Sequence, residues 1–127
     1  MGQAHFITDL RGIVRVVTAR EGLFDALPET DESAALAAEV VAAFRSAVTG
    51  ATAVVVDLRR AGEVNKRTLS VSFQLARELS AQGAKRALCG SKNLKEIWDV
   101  CRGYTICQAY QDMAEALAAV GSAGVSE

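Results

Sequence analysis

The stretch TAVVVDL, residues 52–58, restricts the fold more than any other part of the sequence. A strand with one face in water alternates apolar and polar residues, whereas residues 53–56 of this run, AVVV, are apolar without interruption. Such a run is typical of a strand that is buried on both faces, and in a mixed sheet it predicts a central position. The rest of the chain must then supply neighbouring strands and the helices that connect them.

The flanking segments alternate between predicted strands and predicted helices, as a central strand requires. Residues 5–9 and 13–19 are short β-rich runs separated by a turn at Gly12, where a residue free of a side chain is favoured. Periodicity and turn residues predict the remaining elements in order: a helix at 31–48, the strand at 52–58, a helix that ends at Gly83, a strand at 85–90, a short helix at 91–103, a strand at 104–110 and a terminal helix from Asp112.

Each predicted helix carries an apolar stripe at helical spacing. The stripes comprise Leu36, Ala37, Val40, Val41, Phe44 and Val48; Leu69, Phe73, Ala76 and Leu79; Leu94, Ile97, Trp98 and Cys101; and Met113, Leu117 and Val120. Gly103 is predicted to stop the third helix in a left-handed conformation, and Asp112 with Glu115 has the spacing of a capping box. The sequence therefore predicts a single α/β domain over residues 5–120, with a central mixed sheet, helices mainly on one face and a flexible tail at 121–127.

Composition excludes several classes of function. The 127 residues have a net charge of -1 and are half hydrophobic, so bulk charge predicts neither a nucleic-acid nor a membrane partner. The sequence opens without a signal pattern and contains no apolar run of roughly 20 residues, which predicts a cytoplasmic protein. Cys89, Cys101 and Cys107 lack metal-ligand spacing and are expected to be reduced thiols that pack as small hydrophobes.

Signatures of catalysis are missing from the sequence. The single histidine, His5, has no nucleophile or orienting group near it, and no glycine-rich phosphate loop follows a strand. Asp25, Asp31 and Asp57 lack the spacing of metal ligands and are explained by capping, solvation and strand-end hydrogen bonds. We expect no catalytic residue, no metal and no cofactor.

The stretch RRAGEVNKRTLS, residues 59–70, places cations where a helix is predicted to begin. The positive end of the helix dipole disfavours Lys66 and Arg67, with Arg59 and Arg60 close by in sequence. Unpaired N–H groups and these cations together predict a corner that attracts anions. Two other readings remain open: the charges are solvated and without function, or the acidic stretch at 21–32 lies nearby and neutralises them.

Four segments together resemble the STAS domain, the fold of bacterial anti-sigma factor antagonists, of stressosome proteins and of the cytoplasmic part of sulfate transporters. These are GLFD at 22–25, AVVVDL at 53–58, AQGAKRALCG at 81–90 and DVCRGYTICQAYQDMAEAL at 99–117. The resemblance extends from residue 5 to about 120, and it implies a protein that regulates others by binding them.

The resemblance also implies where a phosphorylation switch would lie. Family members carry Asp-Ser-Ser/Thr-Gly-Leu eight residues beyond the Asp that ends the third strand, and eight residues beyond Asp57 is Asn65. The segment here is NKRTL, so Asn65 replaces the Asp, Lys66 replaces the phosphoacceptor and only Leu69 matches. Lys66 cannot be phosphorylated in the manner of serine, and Thr68 and Ser70 remain as candidate phosphosites.

Three functions follow as hypotheses from these observations, the last being an enzyme subunit whose chemistry a partner chain completes. The first is a non-enzymatic STAS-type interaction domain, like an anti-sigma factor antagonist, that binds a switch kinase, a sensor protein or another STAS protein through Arg59, Arg60 and residues 65–68. The alternative is a domain that senses a small anion or nucleotide with Lys66 and Arg67. Alanine-rich helix faces and an exposed hairpin edge also leave a homodimer open.

Overall fold

The computed structural model describes the backbone of residues 4–125 and the side chains of residues 4–121. Within these residues the strands β1 to β5 are Phe6–Arg11, Val14–Ala19, Ala53–Asp57, Lys85–Cys89 and Gln108–Tyr110. The helices α1 to α4 are Ala34–Val48, Lys66–Ala81, Lys92–Val100 and Met113–Val125. Short 3-10 segments lie at Leu23–Ala26, Asp31–Ser33 and Gly103–Thr105.

The strands form one mixed sheet in the order β1-β2-β3-β4-β5. β1 is antiparallel to β2, and β2 to β5 are parallel. All five residues of β3 are buried, which confirms the central strand that the uninterrupted apolar run predicts. The hairpin turn contains only Gly12 and Ile13, and Gly12 has a φ of 64°, a left-handed value that glycine adopts without strain.

Helices cover both faces of the sheet, but unequally. α1, α2 and α3 pack on one face through residues such as Phe44, Leu79 and Trp98, which share a core with Val54 of β3. Successive right-handed crossovers in one direction place these three helices on the same side. α4 covers the opposite face, where Val120 packs with a separate set of sheet residues. The predicted arrangement of helices mainly on one face is thus confirmed, with α4 as the exception.

Several predicted features at the ends of elements need correction. α1 begins at Ala34 rather than at residue 31, because Asp31–Ser33 form a 3-10 turn, and β5 is three residues long because Gly103–Thr105 form another. The left-handed residue after α3 is Arg102, with a φ of 60°, and not Gly103. α4 continues to Val125, beyond the predicted domain end at 120, and residues 126 and 127 of the predicted tail lie outside the described residues.

The buried stripe of α2 differs from the predicted one. Leu69 and Phe73 are only partly buried, whereas Val71 and Leu75 are fully covered. Phe73 instead reaches sideways and stacks on Trp98 of α3, with ring centroids 4.3 Å apart. The stripe is rotated because α2 has to contact both the sheet and α3, which periodicity within α2 does not reveal.

No helix within residues 4–125 has the length and apolar character needed to cross a membrane.

Candidate functional site

The start of α2 is fixed by a reciprocal pair of hydrogen bonds between Asn65 and Thr68. Asn65 Oδ1 accepts the N–H of Thr68 at 2.9 Å, and Thr68 Oγ1 accepts the N–H of Asn65 at 2.7 Å. This capping box satisfies two donors that would otherwise be unpaired at the helix end. Asn65 Nδ2 also donates to the carbonyl of Leu27 at 3.2 Å. The residue that opens α2 is therefore tied to the loop that precedes α1.

Replacing Asn65 by alanine should lower the free energy of unfolding by about 1 kcal/mol, the usual loss for an N-cap. Asn65→Asp is the matched control, because the carboxylate keeps the acceptor for Thr68 and loses only the donor to Leu27. Urea denaturation of wild type, Asn65→Ala and Asn65→Asp measures the free energy of unfolding of each protein. Equal stability of Asn65→Ala and wild type would contradict the capping role.

The cations at the start of α2 lie against the acidic loop before α1. The Lys66 backbone N–H donates to Glu29 Oε1 at 3.1 Å, and Arg67 Nη2 donates to the Thr30 carbonyl at 3.0 Å. The Glu29 carboxylate supplies the negative charge that the positive end of α2 favours, so the chain itself offsets the unfavourable placement of Lys66 and Arg67. The acidic stretch therefore does lie beside the cations, as one of the open readings requires.

These groups surround a shallow depression that is open to solvent. Its lining consists of Glu29, Thr30, Asp31, Lys66, Arg67 and Ser70. The lining contains two carboxylates and two cations, so the surface is of mixed charge rather than uniformly basic. Glu29, Thr30 and Asp31 are the members of this site that the helix-end argument did not identify, although the acidic composition of 21–32 was a signal for this loop.

Arg59 and Arg60 do not join this surface. Arg59 folds back on Asp57, with Nε 2.9 Å from Oδ1 and Nη2 2.9 Å from Oδ2, and this hydrogen-bonded pair raises the pKa of Arg59. Arg60 is exposed, and its carbonyl accepts the N–H of Gly22 at 2.9 Å. Neither residue lines the depression. The predicted basic corner therefore reduces to Lys66 and Arg67.

The loop between β2 and α1 and the loop between β3 and α2 are joined by backbone hydrogen bonds. In addition to the bond from Gly22 to Arg60, the N–H of Phe24 donates to the carbonyl of Ala61 at 2.7 Å. Leu23 and Phe24 are buried in the core under these bonds. Gly22 and Gly62 have φ values of 76° and 117°, which the sharp turns of the two loops require. The GLFD segment thus supports the segment that leads into α2.

The candidate phosphosites differ sharply in accessibility. Thr68 is 0% exposed and its hydroxyl is occupied in the capping box, so the folded chain does not present it to a kinase, contrary to the sequence-based expectation. Ser72 is also 0% exposed, and its hydroxyl donates to the Thr68 carbonyl. Ser70 is exposed and lines the depression.

Other reactive side chains lie elsewhere. Among residues 4–125, no three His, Cys, Asp or Glu side chains are placed to hold a metal ion. His5 Nε2 lies 2.8 Å from Glu39 Oε2. Burial raises the pKa of the Cys89 thiol to about 11 and that of Cys107 to about 12. Cys101 is exposed at the end of α3, so its predicted place in the apolar stripe is wrong.

No family model matches this chain, and no curated protein matches it. Among solved structures, the chain is similar to the NMR structure of the protein TM1081, with a TM-score of 0.60 and 16% sequence identity. The match covers 92% of this chain and 89% of that chain. At this level of identity the likeness establishes the α/β fold of the whole domain.

Proposed function

We propose that this protein is a non-enzymatic interaction domain of the STAS type, similar to an anti-sigma factor antagonist, and that it binds a partner protein through the start of α2. One observation carries the proposal: this helix end is held rigidly by the capping box and by Glu29, while Lys66 and Ser70 remain exposed beside it. A rigid element that presents a small charged patch loses little conformational freedom on binding.

The surface has the position that the STAS resemblance implies for partner contact. Asn65 caps α2 where the family carries Asp, and Lys66 stands where the family carries its phosphoacceptor. Phosphorylation of a serine at a helix start would add nearly two negative charges, whereas Lys66 keeps one positive charge throughout. We infer that partner binding is constitutive with respect to that switch.

The same contacts give less support to the alternative function, in which the protein senses a small anion. The Glu29 carboxylate already lies against the Lys66 N–H, and Arg67 is engaged by the Thr30 carbonyl. A phosphate at this helix end would have to displace a tethered carboxylate of like charge, which costs affinity. A partner protein whose surface complements both signs of charge does not meet this obstacle.

Reversing the charge at residue 66 is the direct test. Lys66→Glu should slow association with an acidic partner surface by about tenfold at low salt and should reduce the salt dependence of association. The variant should remain folded, because a carboxylate in the first turn of a helix is favourable. The measurement is affinity capture of the partner from source cells followed by binding kinetics with the purified partner.

Lys85→Glu is the matched control, since Lys85 is an exposed lysine at the start of β4 and outside the depression. Equal binding kinetics in the two variants would contradict the proposed surface. Treatment with switch kinases and mass spectrometry add a second test, in which stoichiometric phosphate on Ser70 with loss of binding would overturn constitutive binding. A thermal shift with inorganic phosphate that disappears in Lys66→Glu would favour the anion-sensing alternative.

A further inference from the structure

β1 lies at the edge of the sheet with its outer side open. Within the described residues it pairs with β2 alone, and it contains neither proline nor a bulge over its six residues. Ile7 and Leu10 are 64% and 66% exposed, and Ile13 in the adjoining turn is 63% exposed. Apolar residues on an open, regular edge favour pairing with another strand.

The hairpin turn determines which backbone groups of β1 point outwards. Because the turn has two residues, the flanking pair Arg11 and Val14 exchanges hydrogen bonds across the hairpin, as do Asp9 with Val16 and Ile7 with Thr18. The N–H and C=O groups of the alternate residues Phe6, Thr8 and Leu10 therefore point away from β2. These groups are available to an additional antiparallel strand.

The side chains of β1 add a charge pattern to this edge. Asp9 and Arg11 are on the face that carries α4, because their partners Val16 and Val14 pack in the core beneath that helix. Arg11 Nε donates to Asp9 Oδ2 at 3.1 Å, and both side chains are more than half exposed. Leu10 is on the opposite face, between the two charges in sequence.

We propose that two copies of this chain associate through β1, antiparallel, with Leu10 of one copy opposite Leu10 of the other. In this register Asp9 of each copy is opposite Arg11 of the second copy. Residues 9–11 of the two copies overlap in this register, because each chain turns back toward β2 at Gly12 and Ile13. The inference goes beyond the proposed function, and it leaves the start of α2 free because no residue of β1 lines that surface.

The charges select this register from its neighbours. Pairing through the outward groups allows shifts of two residues at a time, since a shift of one residue would place inward-pointing amides at the interface. A shift in one direction places Asp9 opposite Asp9, and a shift in the other places Arg11 opposite Arg11. Like charges directly opposite one another are destabilising, whereas opposite charges stabilise the pair.

Cysteine cross-linking tests the register. In a Cys101→Ser background, which removes the exposed native thiol, Leu10→Cys should form a disulfide between two copies under mild oxidation. The expected Cα separation at this position, about 5.5 Å, is within the range of disulfides. Thr8→Cys is the matched control, because the two Thr8 residues would be roughly 13 Å apart. Equal cross-linking of the two variants, or none in Leu10→Cys, would overturn the register.

Charge reversal tests the association itself by analytical ultracentrifugation. Asp9→Arg and Arg11→Asp each place like charges opposite one another, so each should self-associate at least about tenfold more weakly than wild type. An equimolar mixture of the two variants restores both opposite-charge pairs and should form a heterodimer. Circular dichroism establishes that each variant is folded.

A wild-type chain that stays at 13.4 kDa at all concentrations would overturn the proposal and would leave the edge to an extended segment of another protein. Failure of the mixture to associate would overturn it as well. A dimer whose stability is unchanged by either single reversal would place the interface elsewhere. Failure of partner binding in Lys66→Glu does not affect these measurements, so the two proposals can be tested separately.

Discussion

Replacing Trp98 by alanine should lower the free energy of unfolding by about 3–5 kcal/mol, the range for loss of a large buried aromatic residue. Trp98 is 0% exposed and stacks on Phe73 of α2. Its Nε1 donates to the Cys107 carbonyl at 2.7 Å, and its ring lies directly against Gly103. Truncation would leave a cavity between α2 and α3 and remove the hydrogen-bond partner of a buried carbonyl.

A loss of this size is a large part of the 5–15 kcal/mol that stabilises an average domain, so the melting temperature should fall by about 10 °C or more. Trp98→Phe should lose less, because it keeps an aromatic ring on Phe73 and removes only the hydrogen bond and part of the volume. Val100→Ala, in the same helix but 83% exposed, should change stability by less than about 0.5 kcal/mol. A loss below about 1 kcal/mol in Trp98→Ala would show that α3 contributes little to the core.

Replacing Gly62 by alanine should lower the free energy of unfolding by about 1–3 kcal/mol and should also weaken the proposed partner binding. The φ of 117° at Gly62 is strained for any residue with a side chain. An added Cβ would also lie 2.6 Å from Asp25 Oδ1, although the exposed Asp25 side chain can rotate away. Most of the loss should therefore come from the backbone, and Asp25→Ala in the same chain should recover only a small part of it.

Gly50→Ala separates the two expected effects of Gly62→Ala. Gly50 has a φ of 80° with no atom within 4 Å of an added Cβ, so the variant carries backbone strain without a contact. It lies after α1 and away from the loops that support the start of α2. Chemical denaturation should therefore detect a loss in both variants, and binding kinetics should detect a loss in Gly62→Ala alone. Unaltered partner binding in Gly62→Ala would contradict the role assigned to the joined loops.

Several parts of the fold were predictable because their signal is local. The uninterrupted valines of β3 predicted its central place, and the stripe of Val40, Phe44 and Val48 predicted the buried face of α1. α1 buries one face and β3 buries both. In each case the spacing of the apolar residues along the chain indicates which faces are buried. The alternation of strands and helices then restricted the topology to a sheet with right-handed crossovers.

The composition of the candidate site was less predictable. Local sequence placed Lys66 and Arg67 at a helix start, but Glu29 meets the N–H of Lys66 across 37 positions of the chain. The spacing of Asn65 and Thr68 fits a capping box, yet local spacing alone does not reveal that Thr68 becomes fully buried beneath it. Arg59 is close to Lys66 in sequence and still binds Asp57 instead.

What the sequence by itself determined is therefore the set of elements, their order and the apolar faces that they bury, because periodicity is a property of neighbouring residues. Only the tertiary structure decided that α4 covers the second face of the sheet, that Glu29 lies at the start of α2 and that Thr68 is withdrawn from solvent. Each of these features depends on segments that are far apart in the chain and pack together in the folded protein. Local spacing does not determine which distant partner a side chain meets, so the sequence alone does not reveal them.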